Sequence, residues 1–415
     1  MGEITGYAPT PWPAEDGGPR RLQRVEGIPG PRATRATTTA VRQVALGVMV
    51  VHGPADRTYL LRADMGPDAP QWVEEIDPVS LEERRRSPSL SLGPFWPGGM
   101  AVLDDGSVLV VQGRWAHRLT PDLEPITSRR LPVEAPHNSF VLLGDGTVAT
   151  KDLQRPDGPP STLSLLDPAT LEDRAAPVVL PEPSVSRLSA DRDTLVVVGT
   201  SALSRHRWDG SALTAVDGAA ATYLVHDDQS FGWDPVVADS GVWWMDNGDH
   251  TFADGLTMLG NGVAAGPTRL WHASGPTPDG ADGADLRSVE ISGSPAGAVT
   301  NPPLVDDERD LVVGFDSANG VLAAFATDDL SLVWRRDVAA AQHMWLHPDT
   351  GELVTDDHDR EHGDHLVVLD VATGEERARA RVDSPAQSVV FGAPGRHGDA
   401  LFLSLSTLAR VELAP

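Results

Sequence analysis

Short apolar runs recur along the chain, each entering a turn built on Asp or Gly and leaving it as a second run rich in Val and Leu. The pattern reads MAVLDDGSVLVV (100–111), FVLLGDGTVAT (140–150), RLSADRDTLVVV (187–198), PVVADSGVWWM (235–245), PLVDDERDLVVG (303–314), MWLHPDTGELVT (344–355) and VVFGAPGRHGDALFLS (389–404). Each predicts a β-hairpin, because Asp and Gly supply the backbone conformations that a tight turn needs. From Gly106 the turns fall at Gly146, Asp193, Gly241, Asp310, Gly351 and Gly398, with spacings of 40, 47, 48, 69, 41 and 47 residues. Spacings gathered near one value mark an array of structural repeats.

A second hairpin follows the first in each unit. Copies are VEEIDPVSLEERR (73–85), HRLTPDLEPITS (117–128), LSLLDPATLEDR (163–174), HRWDGSALTAV (206–216), LAAFATDDLSLVWR (322–335) and LVVLDVATGEERAR (366–379). Two hairpins per repeat make a four-stranded antiparallel blade, so the predicted fold is an all-β propeller. Counting an opening pair at 46–52 and 58–63 gives eight blades, and leaving that weaker unit out gives seven. The last unit (387–413) holds three strands, and a strand within 37–45 is expected to supply the fourth and close the ring. Residues 1–36 form an irregular extension, 37–415 a single propeller domain, and 246–285 carries long loop insertions.

The second hairpins, Leu366–Arg379 and Leu163–Arg174 above all, resemble the quinoprotein-like and WD-like repeats of bacterial propellers. The resemblance covers most of the chain and implies the fold. Enzymes of that type which bind pyrroloquinoline quinone repeat a docking Trp at the end of each blade. Here Trp334 alone holds such a place, so no quinone is expected.

Composition narrows the chemistry. No cysteine occurs among the 415 residues, which excludes disulfides, thiolate nucleophiles and Cys-held metals. The net charge of −27 argues against nucleic acid and anionic membranes as partners. No apolar window is long enough to span a bilayer. The polar, Pro/Gly-rich start shows no secretion signal, so a cytoplasmic monomer is expected. Haem and nucleotide are not expected either.

The repeat sets a register. Residues entering the innermost strands should ring one mouth of the central channel: Trp96, His137, Asn138, Trp233, Asp234, Asn301 and His343. Residues leaving the second strands lie on the same upper face: Arg114, Trp115, Lys151, Asp152, Asp246, Asp316, Asp356 and His358. Four of these are aspartates at one equivalent position. Each either caps its own loop through backbone N–H groups or points into the mouth as a base or ligand. The run DDHDREHGDH (356–365) is expected in an upper loop, and DNGDH (246–250) has the oxygen-rich look of a calcium turn.

The ring motivates an enzyme acting on a small organic molecule, of hydrolase, lyase or cyclase/isomerase type. His137 or His343 would be the general acid/base, since unperturbed histidine titrates near neutrality. Asp234 or Asp356 would orient it, with His358 nearby. Trp96, Trp115, Trp233 and Trp345 would wall the pocket, and Arg114, Lys151 and Asp246 would contact substrate. Asn138, Asp234 and Asn301 could hold a divalent cation such as calcium, a strategy resembling that of propeller lactonases. The competing expectation is a non-catalytic scaffold for other proteins, or a ligand sensor, since a fold does not specify function.

Overall fold

The apolar runs become strands buried on both faces. In most blades the first three strands are almost wholly buried, while the fourth is exposed or alternates. A strand sandwiched between neighbouring blades needs apolar side chains on both sides, which is why the runs do not alternate. The computed structural model describes residues 6–66, 69–216, 218, 220–248, 259, 265–274 and 285–415. They form a ring of eight antiparallel sheets. Blades 1 to 7 span 47–86, 99–130, 137–179, 189–222, 229–290, 304–337 and 345–381. Blade 8 combines Ala393–Pro394, Asp399–Leu403 and Thr407–Ala414 with the N-terminal strand Arg35–Gln43. That strand runs antiparallel to the last one, from Arg35 opposite Ala414 to Gln43 opposite Thr407, and so closes the ring as expected. No helix among the described residues is long and apolar enough to cross a membrane.

The turn between third and fourth strands repeats a specific device. In blade 3, Asp167 Oδ1 accepts from Ala169 N and Thr170 N at 2.9 Å. Leu171 then turns left-handed (φ 62°) with its side chain fully buried. Leu81, Leu123 and Leu330 do the same in blades 1, 2 and 6. Blade 7 places Gly374 there, because Trp334 of blade 6 fills the space: a Cβ on Gly374 would come within 2.6 Å of the indole. Trp334 Nε1 also donates to Val371 O at 2.8 Å. For Leu171→Gly, relief of the left-handed backbone gains roughly 1–2 kcal/mol, whereas losing a buried leucine costs about 2–5 kcal/mol. Burial wins, so the variant should unfold at lower urea concentration; a raised midpoint would show that the strain dominates.

The innermost strand of every blade has an unpaired backbone edge facing the channel, which elsewhere would be a site for unwanted pairing. Here the segment 6–33 covers it. Gly6 O accepts from Asp104 N and Ala8 N donates to Val102 O in blade 2, and Tyr7 Oη accepts from Leu142 N in blade 3. Trp12 O accepts from His52 N in blade 1, Pro19 O from Ala190 N in blade 4, and Arg20 O from Val237 N in blade 5. Gln23 reaches Pro303 O of blade 6 through Nε2, and its backbone carbonyl accepts from Leu346 N of blade 7. Blade 8 pairs instead with blade 1, between Phe391 and the Val48–Val50 strand. The segment enters beside the Asp/Gly turns of the lower face and leaves there too, where Gly30 N meets Asp349. Its tip, the turn Glu15–Gly17, lies deep inside. The N-terminal extension is thus a hairpin-shaped plug.

One expectation needs correction. The run 356–365 is not a loop: Glu352–Asp359 and Gly363–Asp370 are paired strands, so only 360–362 turn. The end of the DNGDH run (249–250) and most of the 246–285 insertion lie outside the described residues. Within that insertion, Leu259 N donates to Gln387 Oε1 at 2.7 Å and its carbonyl accepts from Arg360 Nη2 at 2.9 Å, next to blades 7 and 8.

Candidate functional site in the channel

The plug brings charge into the channel, and the ring answers it. Asp16, at φ 53°, presents Oδ1 to His343 Nδ1 at 2.7 Å and Oδ2 to Arg21 Nη1 at 2.8 Å. Arg21 Nη1 also meets Glu15 Oε1 at 2.8 Å, while its Nε donates to Leu188 O and its Nη2 to Ser139 Oγ. Arg187, just before the inner strand of blade 4, bridges Glu15 (2.7 Å) and Asp234 (3.1 Å). It further donates to Asn138 O and Pro97 O, and its guanidinium lies 4.8 Å from the Phe391 ring centre. One arginine therefore touches blades 2, 3, 5 and 8 and the plug, which fixes it on the channel axis. Phe391 in turn stacks on His343, with ring centres 3.7 Å apart.

Burial and pairing set the protonation states. Burial pushes Glu15 up, more than Arg21 and Arg187 pull it down. Burial also raises Asp16, but His343 and Arg21 outweigh it and hold the carboxyl below its ordinary value. An ionised Asp16 accepts, so His343 carries its proton on Nδ1 and turns Nε2 outward from the pair. Nε2 is buried and has no hydrogen-bond partner. The same is true of His137 Nε2, Asn138 Oδ1 and Trp233 Nε1. Burial lowers His137 to about 4, so it is neutral, and its Nδ1 lies 3.2 Å from Gly113 O.

Trp96 packs against the hydrophobic cluster that includes Val185, Trp233, Val299 and Met344. Trp233 stacks edge-on against Phe231 at 5.4 Å, and Trp345 meets Trp12 of the plug at 6.5 Å. Lys151 is 1 % exposed, and its Nζ donates to Ser184 O at 3.0 Å.

Other predicted residues take different surroundings. Both oxygens of Asp234 accept from Arg187, so Asp234 does not orient a histidine. Asn138 Nδ2 donates to Val185 O, and Asn301 Nδ2 to Ala341 O and Val389 O. A cation held by these three residues would have to displace Arg187 from Asp234. Among the described residues, no three His, Cys, Asp or Glu side chains gather as a metal set. The four equivalent aspartates bind backbone. Asp152 accepts from Thr162 N, Asp246 from Arg269 N, Asp316 from Ala298 N, and Asp356 from Ala341 N and Gln342 N. Burial raises Asp246 to about 7, and Trp271 Nε1 donates to its second oxygen. His358 Nδ1 pairs with Asp364 at 2.6 Å, in the blade 7 hairpin. Arg114 braces Leu131 O and Pro132 O, and Trp115 stacks on His117 at 5.8 Å.

The register therefore leads to the ring but not to its partners. Glu15, Asp16, Arg21 and Arg187 carry the network, and three of them come from the extension. The available signal was the charged run EDGGPRR (15–21) set behind Tyr7 and Trp12, aromatic residues that an exposed tail has little use for.

No family model matches the chain, and no curated protein does. Solved structures do. The quinohemoprotein alcohol dehydrogenase ADHIIG from Pseudomonas putida superposes with a TM-score of 0.65 at 9 % identity, over 98 % of this chain and 80 % of that one. BamB from Moraxella catarrhalis gives 0.58 at 11 % identity, over 91 % and 98 %. The C-terminal WD40 domain of Sif2 gives 0.58 at 12 %, over 91 % and 99 %. Proteins of such mixed kinds share with this chain its fold, as the resemblance of the repeats implied, and the chain is an eight-bladed β-propeller.

Proposed function

We propose that this protein is an enzyme acting on a small organic molecule at the top of its channel, with His343 as the group that moves a proton. The observation that supports this reading is the His343–Asp16 pair. A carboxylate 2.7 Å from Nδ1 fixes the ring's tautomer and orientation, and the buried Nε2 is left without a partner. That is the arrangement of a general acid/base, in which the carboxylate also stabilises the imidazolium formed when the ring takes a proton. Arg21 holds Asp16 from the other side, and Arg187 and Asn138 stand around the same space. Proton transfer of this kind serves hydrolysis, elimination and isomerisation alike.

The test starts from a bacterial small-molecule extract. Incubated with the protein and followed by mass spectrometry, at least one compound should be consumed and a product formed. His343→Gln should abolish that conversion, and Asp16→Asn should slow it about 10²–10⁴-fold. An extract left unchanged by the native protein would sink the reading. It would favour the scaffold, for which the supporting observation is the apolar pair Leu332 and Val333 on the outer strand of blade 6, 57 % and 46 % exposed.

A further inference from the structure

The chain has 33 basic residues of the Lys/Arg type, and only one of them, Lys151, is a lysine. Wherever a fixed cation is needed, inside the channel as well as on the surface, arginine is used. Arginine cannot release its proton in a protein, whereas lysine can. The single lysine is moreover one of the most deeply buried long side chains in the molecule. It is the last residue but one of the second strand of blade 3, Val148–Asp152, and lies against the segment entering blade 4.

Its partners distinguish an amine from an ammonium. Nζ faces two carbonyl oxygens, Ser184 O at 3.0 Å and Asp152 O at 3.5 Å. No carboxylate forms an ion pair with it among the described residues. A neutral amine has two N–H groups for those two carbonyls and one lone pair left over, whereas an ammonium would leave a third N–H without a partner. Asn138 and His137, on the neighbouring inner strand of the same blade, each keep a buried polar atom unpartnered. Burial, helped by Arg187 and Arg21 and opposed by Asp152 and Asp234, brings the amine down to about 7.

We propose that Lys151 is a functional amine that captures a small aldehyde or keto compound as an imine. The nitrogen lone pair forms the bond to the carbonyl carbon, and the C=O π pair moves to oxygen, which takes a proton as nitrogen gives one up. The carbinolamine then loses its hydroxyl with a proton as water, and nitrogen closes the C=N bond. No electron donor or acceptor is needed. This site is separate from the His343–Asp16 pair and stands without it.

Having a single lysine makes the test clean. The full-length protein is incubated at pH 7 with glyoxylate, or with acetaldehyde as an uncharged probe, in the presence of cyanoborohydride, and its peptides are mapped by mass. Reduction of an imine leaves a stable adduct on the Lys151 peptide. The expected rate is about tenfold or more above that of Nα-acetyl-lysine amide, because far more of the amine is free at this pH. Lys151→Met, which places no charge in the site, should remove the adduct while keeping the native circular dichroism spectrum. Labelling with neither probe, labelling confined to the α-amino group, or labelling of Lys151 only after unfolding in guanidinium would each overturn the proposal.

Discussion

Replacing Arg21 with methionine is expected to destabilise the protein by about 3–5 kcal/mol, the largest effect of any single side chain in the plug. Arg21 is 1 % exposed and serves four groups: Glu15, Asp16, Ser139 Oγ and Leu188 O. Methionine keeps much of the volume but leaves two buried carboxyls to share Arg187 and His343 alone. Such a loss far exceeds that of an exposed ion pair, worth about 0–1 kcal/mol. Arg21→Lys should recover little, because a point charge on a flexible stem cannot reproduce a planar fork that reaches all four partners. The network also predicts a rescue. Adding Glu15→Gln to Arg21→Met removes one orphaned charge, so the double variant should be more stable than the single one. Guanidinium denaturation followed by tryptophan fluorescence reads both effects. A loss below 1 kcal/mol for Arg21→Met would mean that water reaches the tip of the plug.

The same network explains which features could be read from sequence. Blades are local: an apolar run, an Asp/Gly turn and a second run lie within a dozen residues, so the pattern that folds them is visible as a pattern. The register followed, and with it the ring formed by His137, Asn138, Asp234 and His343. The plug is the opposite case. Residues 6–33 have no period because they pair with a different strand at almost every step, and the Asp16–His343 contact spans 327 positions. Nothing local marks Asp16 as a histidine's partner, so the expectation fell on Asp234 and Asp356. Those two residues bind backbone or arginine instead. The repeated aspartates show the converse lesson. A residue recurring at one position in four blades answers a need those blades share, here a backbone N–H to satisfy, whereas the network residues occur once each.

Uniqueness also frames the last expectation, which concerns pH. Lys151 goes from about 10.5 in the unfolded chain to about 7 when folded. Between those values the unfolded state binds more protons than the folded one, so folding stability rises with pH across that window. Below pH 7 both states are protonated and the native protein carries the full cost of a buried ammonium. Above it the folded amine is neutral, and the remaining cost, that of taking the proton off, shrinks steadily until it vanishes near 10.5. At 1.36 kcal/mol per pKa unit, the contribution is on the order of 3–5 kcal/mol across the window. Lys151→Met has no such group, and other titrating residues cancel in the comparison. The stability of wild type relative to Lys151→Met should therefore climb as pH goes from 6 to 10, whatever the offset from the lost hydrogen bonds to Ser184 and Asp152. Urea denaturation at four or five pH values measures the slope directly. A flat difference would show that Nζ stays solvated and charged, and would remove the physical basis for a neutral amine in the channel.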